Sequence, residues 1–101
     1  MSKSPFQAIS DPTRREILDM LMQGPRRAGD LAVAFPRISR PAVSKHLRVL
    51  RGSRLVKPHR RGRELWYELN PQPLTQIEGW LVKYEQFWHG KLAALKRAAE
   101  K

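Results

Sequence analysis

Arg40, Ser44, Lys45 and His46, with Pro41 among them, place positive charge and hydrogen-bond donors at helical spacing. Arg48 continues the series, and Arg60, Arg61 and Arg63 crowd around Gly62 further on. The chemistry open to such a set is recognition of anions: a guanidinium offers a planar donor fork, an ammonium a compact charge, and a hydroxyl fills the gaps. A solvated helix face ordinarily mixes both signs, yet no Asp or Glu occurs from Leu31 through Arg63. Half of the 20 Lys and Arg residues fall between Arg37 and Arg63, within a net charge of +11. A surface of this kind suits a polyanion.

Bond-breaking chemistry is poorly supplied. The chain has no cysteine, so it lacks disulfides, thiolate metal ligands and a thiol nucleophile. No nucleophile and base stand at meaningful spacing, and there is no Gly-rich phosphate loop. Glu85 and His89, four apart, could share a metal, but a solvated pair is the simpler expectation; no metal, cofactor or catalytic residue is assigned.

The elements that must position the cationic residues can be read from caps and periodicity. Ser39 can cap a helix N-terminus and Pro41 has its φ set for the first turn, while Val43, Leu47 and Leu50 form an apolar stripe. A helix therefore starts near Arg40 and turns Arg40, Pro41, Ser44, Lys45 and Arg48 outward. Upstream, Asp11 as N-cap and Pro12 open a helix ended by Gly24-Pro25, with Ile17, Leu18 and Leu21 buried and Arg14, Glu16, Asp19 and Gln23 in solvent. A short turn of helix around Phe6, Ala8 and Ile9 precedes it. Another helix spans Ala28 to Phe35, with Leu31, Ala34 and Phe35 on one side, and Pro36 ends it. Two short helices joined by a tight turn, the second carrying the charge, form a helix-turn-helix, and duplex DNA is the expected polyanion.

From Leu55 the period changes to two. Leu55 to Arg60 and Arg63 to Leu69 are expected to form a β-hairpin turning at Arg61-Gly62, with Pro58 marking an edge strand. Leu65, Tyr67 and Leu69 face the helices in this reading, and Glu64, Trp66 and Glu68 face away. A long last helix follows from Leu74 to Ala99, where Leu74, Ile77, Leu81, Tyr84, Trp88, Leu92 and Leu95 recur three or four apart. Trp80 and Phe87 widen that strip beyond what a small domain covers alone, so it should pair with a second copy of the chain. Gly79 and Gly90 weaken the helix; either they admit close backbone contact, or the helix bends or frays near Gly90.

Ser10-Asp11-Pro12-Thr13-Arg14-Arg15-Glu16-Ile17-Leu18, then Ser39 to Leu50, then Arg61-Gly62-Arg63 and Tyr67-Glu68-Leu69 together resemble the ArsR/SmtB family of bacterial winged-helix repressors, over nearly the whole chain. The last helix resembles the branch without metal sites. The resemblance implies a fold that is mainly α with a small β-hairpin, five helices with the wing before the last, in a symmetric dimer. It implies an inverted-repeat operator with one recognition helix per half-site, Arg40, Pro41, Ser44, Lys45 and His46 at the DNA surface, and repression. A small-molecule effector is possible and unidentified. The family commonly carries a polar amide where this chain has Arg40; arginine prefers guanine O6/N7, so a G is expected there in the operator.

The division of labour expected is Arg40, Pro41, Ser44, Lys45 and His46 on base edges, and Ser39, Arg48, Arg60, Arg61 and Arg63 on phosphates or in the minor groove. A half-buried, satisfied His46 stays open as an alternative. Residues 1–101 form one winged-helix domain, and 1–10 with 74–99 supply the dimer interface through Phe6, Ile77, Leu81, Tyr84, Trp88, Leu92 and Leu95. No apolar run approaches a membrane span, and a cytoplasmic protein is expected. Two rivals remain: a basic RNA-binding or nucleoid-associated protein, for which charge alone suffices, and a protein-interaction adaptor using an exposed Trp66 or the last helix.

Overall fold

The computed structural model of the chain describes residues 4–88 and 97–99. The order of elements is α1 (Pro5–Ala8), α2 (Pro12–Met22), β1 (Arg26–Arg27), α3 (Ala28–Ala34), α4 (Arg40–Gly52), β2 (Val56–Arg61), β3 (Glu64–Leu69), α5 (Leu74–Val82) and α6 (Glu85–Trp88). Helices with a small antiparallel sheet make a winged helix-turn-helix. Each of the first two helices opens on an oxygen cap followed by proline: the Ser4 hydroxyl accepts from the N–H of Phe6 at 3.0 Å, and the Asp11 carboxylate from that of Arg14 at 3.0 Å. The core is one cluster built from Ala8, Ile17, Leu18, Leu21, Leu31, Val43, Leu47, Leu50, Leu55 and Val56. Both stripes read from periodicity, Ile17, Leu18 and Leu21 in α2 and Val43, Leu47 and Leu50 in α4, are in it. In α3 Leu31 is buried and Phe35 packs on the core from just beyond the helix, whereas Ala34 is exposed.

The sheet has three strands rather than the two of a plain hairpin, in the order β1-β3-β2. β1 pairs Arg26 with Tyr67 and Arg27 with Trp66, and two residues are too few to leave a period in the sequence. Its effect is to make β3 the central strand and to keep β2, with Pro58, at an edge. The turn falls one residue later than expected, at Gly62-Arg63, because Arg61 and Glu64 still pair. Gly62 has φ +65, the positive value that the first position of such a two-residue turn requires.

The last helix departs most from expectation. α5 ends at Val82, Lys83 and Tyr84 form a turn, and α6 resumes at Glu85, so the interruption lies six residues upstream of Gly90 and Gly79 is accommodated inside α5. His89, Gly90, Leu92 and Leu95 lie outside the described residues, and so does a metal pairing of Glu85 with His89, while residues 97–99 are helical. No helix among the described residues is long and apolar enough to cross a membrane.

Candidate nucleic-acid interface

The candidate recognition helix begins as its cap residues dictate. The Ser39 hydroxyl accepts from the N–H of Ala42 at 3.2 Å and Pro41 lies in the first turn. Val43, Leu47 and Leu50 bury their side chains, which fixes the rotation of α4 and leaves Arg40, Pro41, Ser44, Lys45 and Arg48 exposed. α3 and α4 are separated by residues 35–39, closed by a hydrogen bond from the N–H of Ile38 to the carbonyl of Phe35 at 3.2 Å. Arg40 and Ser44 line a cleft between α3, α4 and β3, with Gly29, Ala32 and Leu65 opposite them. Arg60, Arg61 and Arg63 are exposed at the tip of the hairpin. Among the described residues no carboxylate lies within ion-pair distance of Arg40, Lys45, Arg48, Arg60, Arg61 or Arg63. Six cations are thus presented to solvent unpaired.

His46 sits differently. It is half-buried, with Nδ1 3.2 Å from Nη1 of Arg14 and 3.8 Å from Oδ2 of Asp11. Since a guanidinium only donates, Arg14 is the donor in this contact and Nδ1 the acceptor. Arg14, expected in solvent, is instead half-buried: Nε donates to the carbonyl of Ala8 at 2.7 Å and Nη2 to that of Gln7 at 3.1 Å. One guanidinium therefore joins the last carbonyls of α1 to α4. Asp11 completes the group. Burial pushes its carboxyl up, but the backbone N–H of Arg14, the neighbouring His46 ring and the Arg14 guanidinium outweigh this and hold it below the ordinary aspartate value. A helical period shows Asp11 as a cap and Arg14 as solvated, but not the contacts of Arg14 to α1 and α4.

The hairpin is tied down by a second arginine. Arg27 meets Asp30 through Nε at 3.0 Å and Nη2 at 3.2 Å, and reaches Glu64 with Nη1 at 2.8 Å. Its hydrogen bonds to Asp30 and then Glu64 hold the guanidinium's pKa above its ordinary value, and the same bond from Arg27 holds Asp30 below its own. Trp66, expected to be exposed, is half-buried with Nε1 shielded, and the Arg61 guanidinium carbon lies 4.5 Å from its ring centroid. No group of three or more His, Cys, Asp or Glu side chains able to hold a metal occurs among the described residues.

A helix-turn-helix with an acid-free outer face, followed by a cationic hairpin, defines a winged-helix DNA-binding protein. The family model described as bacterial regulatory protein, arsR family, matches residues 11–57. The transcriptional repressor SdpR of Bacillus subtilis (strain 168) is 43% identical over 79 residues, covering 78% of this chain and 87% of that protein. Among solved structures, an ArsR family transcriptional regulator aligns at TM-score 0.72 and 35% identity, over 82% of this chain and 90% of that one. The ArsR-like transcriptional regulator from Rhodococcus sp. RHA1 aligns at TM-score 0.68 and 37% identity, over 93% of this chain and 88% of that one. The chain belongs to the ArsR family and is a sequence-specific DNA-binding transcriptional regulator.

Proposed function

We propose that the chain acts as a homodimeric repressor of an inverted-repeat operator, one α4 entering the major groove of each half-site and occluding polymerase. Its own promoter is a natural first target. Arg40, Pro41, Ser44 and Lys45 take the base edges, and Ser39, Arg48, Arg60, Arg61 and Arg63 take phosphates or the minor groove. Ser39 keeps a free O–H for this, since capping uses only a lone pair. His46 fits better as a brace than as a base contact, because its Nδ1 is already occupied by Arg14. The observation that carries the reading is the exposed face of α4, cationic and without a carboxylate partner.

Phe6, Ile77, Leu81, Tyr84 and Trp88 supply the dimer interface in this proposal, continued by Leu92 and Leu95. Its support is that α5, with Trp80 and Leu81, carries no buried residue in the single chain. Binding rather than catalysis, without a metal, in the cytoplasm, completes the proposal; any effector is left unassigned.

Footprinting upstream of the chain's own gene should protect a two-fold symmetric site. Arg40→Ala should then relax preference at one base pair per half-site, costing roughly 1–3 kcal/mol against operator DNA and little against random DNA. Equal weakening on both would favour a non-specific nucleic-acid-binding protein instead.

A further inference from the structure

The tryptophan of the wing stands on the side of the sheet that turns away from the core. Register puts Arg27 beside it on β1 and His59 beside it on β2, and Arg61, which pairs with Glu64, lies on the diagonal of the same face. Arg27 is held by Asp30 and Glu64, and His59 lies 4.0 Å from Glu68. Arg61 has no carboxylate within ion-pair distance among the described residues; what holds it is the face of Trp66, at 4.5 Å. The ring carries a cost for being there, because its Nε1 is buried without an acceptor among the described residues. A phenylalanine would fill the same place without that orphaned donor. The face of the indole, the strongest of the aromatic rings toward a cation, is what tryptophan adds.

We propose that Trp66 is a positioning residue for DNA binding: it holds the Arg61 guanidinium flat against its ring, with the N–H edges free to meet a phosphate of the duplex. A long side chain at a hairpin tip otherwise gives up rotamer freedom when it binds. Stacking settles part of that freedom in advance, and because a guanidinium donates in its own plane, the face can be covered while the donors remain available. This rests on the reading above that Arg61 contacts DNA.

The test is a double-mutant cycle on binding, measured by fluorescence anisotropy with operator and with random duplex, over a salt series. Arg61→Ala should weaken both duplexes alike and lower the salt slope by about one unit per half-site. Trp66→Leu should weaken both duplexes by about two- to five-fold in the native chain and have no further effect once Arg61 is alanine. Trp66→Phe should fall between native and Trp66→Leu. A Trp66→Leu loss of equal size in both backgrounds would mark a merely structural residue and overturn the inference. Trp66→Leu without effect, while Arg61→Ala weakens binding, would overturn it alone; Arg61→Ala without effect would remove the wing contact and the inference with it. Should Trp66→Leu melt below the assay temperature, Trp66→Phe and Trp66→Tyr replace it. Affinities following the strength of the ring face in the native chain, and level beside Arg61→Ala, support the proposal; the same spread in both backgrounds overturns it.

Discussion

Arg54 has φ +66 in the left-handed region, where a side chain costs about 1–2 kcal/mol. It is held there because α4 must stop: the N–H of Leu55 donates back to the carbonyl of Leu50 at 3.0 Å and that of Ser53 to Val49 at 3.1 Å. Glycine is the residue such a helix end prefers. Arg54→Gly relieves the strain but enlarges the freedom of the unfolded chain, and the balance should favour the variant by about 0.5–1 kcal/mol. Urea unfolding would measure it, and a lower midpoint would mean that the arginine contributes something beyond its backbone. Other assignments at this scale stand on geometry of the same kind. The sequence leaves His46 between a DNA-facing donor and a satisfied, half-buried histidine and puts Arg14 in solvent; the fold joins the two in one hydrogen-bonded group. A residue type and its helical phase do not say which neighbour from another element arrives beside it.

Elements here are joined by arginines that reach across the fold. Arg27 is the last residue of β1, and its bonds to Asp30 in the first turn of α3 and to Glu64 at the start of β3 tie the wing to the helix-turn-helix. Both ion pairs are about half exposed, so each is a modest contribution under salt. Because Asp30 has a folded pKa below its unfolded value, its contribution is present above the unfolded value and is lost as pH falls through the folded one. Asp30→Asn should therefore melt lower than the native chain at neutral pH, and the gap should close as pH falls through the folded pKa. A gap unchanged by acid would locate the effect in the fit of the amide rather than in the charge. β1 itself was not legible beforehand. Helices and the hairpin announced themselves through caps, proline and periods of 3.6 and 2, whereas a two-residue strand exists only through the strand it pairs with.

For the whole molecule, the open question of surface lies in the aromatic run. Phe6 meets Trp80 edge-on with centroids 6.0 Å apart, Trp80 meets Tyr84 at 5.2 Å, and Tyr84 meets Phe87 at 6.4 Å. All four remain exposed by 40% or more in the isolated chain. A contiguous apolar patch of this kind marks an association site, and two recognition helices must be held about 34 Å apart to read successive major grooves. Leu81→Glu places a charge in the strip without touching the core. It should yield a monomer in sedimentation equilibrium, with operator affinity falling toward that for random DNA. A dimer that persists with its affinity intact would show that the interface lies elsewhere.

The amino-acid order by itself determined where the first four helices lie and where the last begins, where the hairpin turns to within a residue, which stripe of α4 is buried and therefore which of its cations look outward. It could do so because caps, turns and amphipathic periods are local, decided by residues within a few positions of one another. Only the tertiary structure decided that Arg14 and His46 brace α1 against α4, that Arg27 anchors the wing, that Arg61 rests on Trp66, and that the last helix breaks at Lys83-Tyr84. Those outcomes depend on contacts between residues far apart in the chain, and their partners are chosen by how the elements pack.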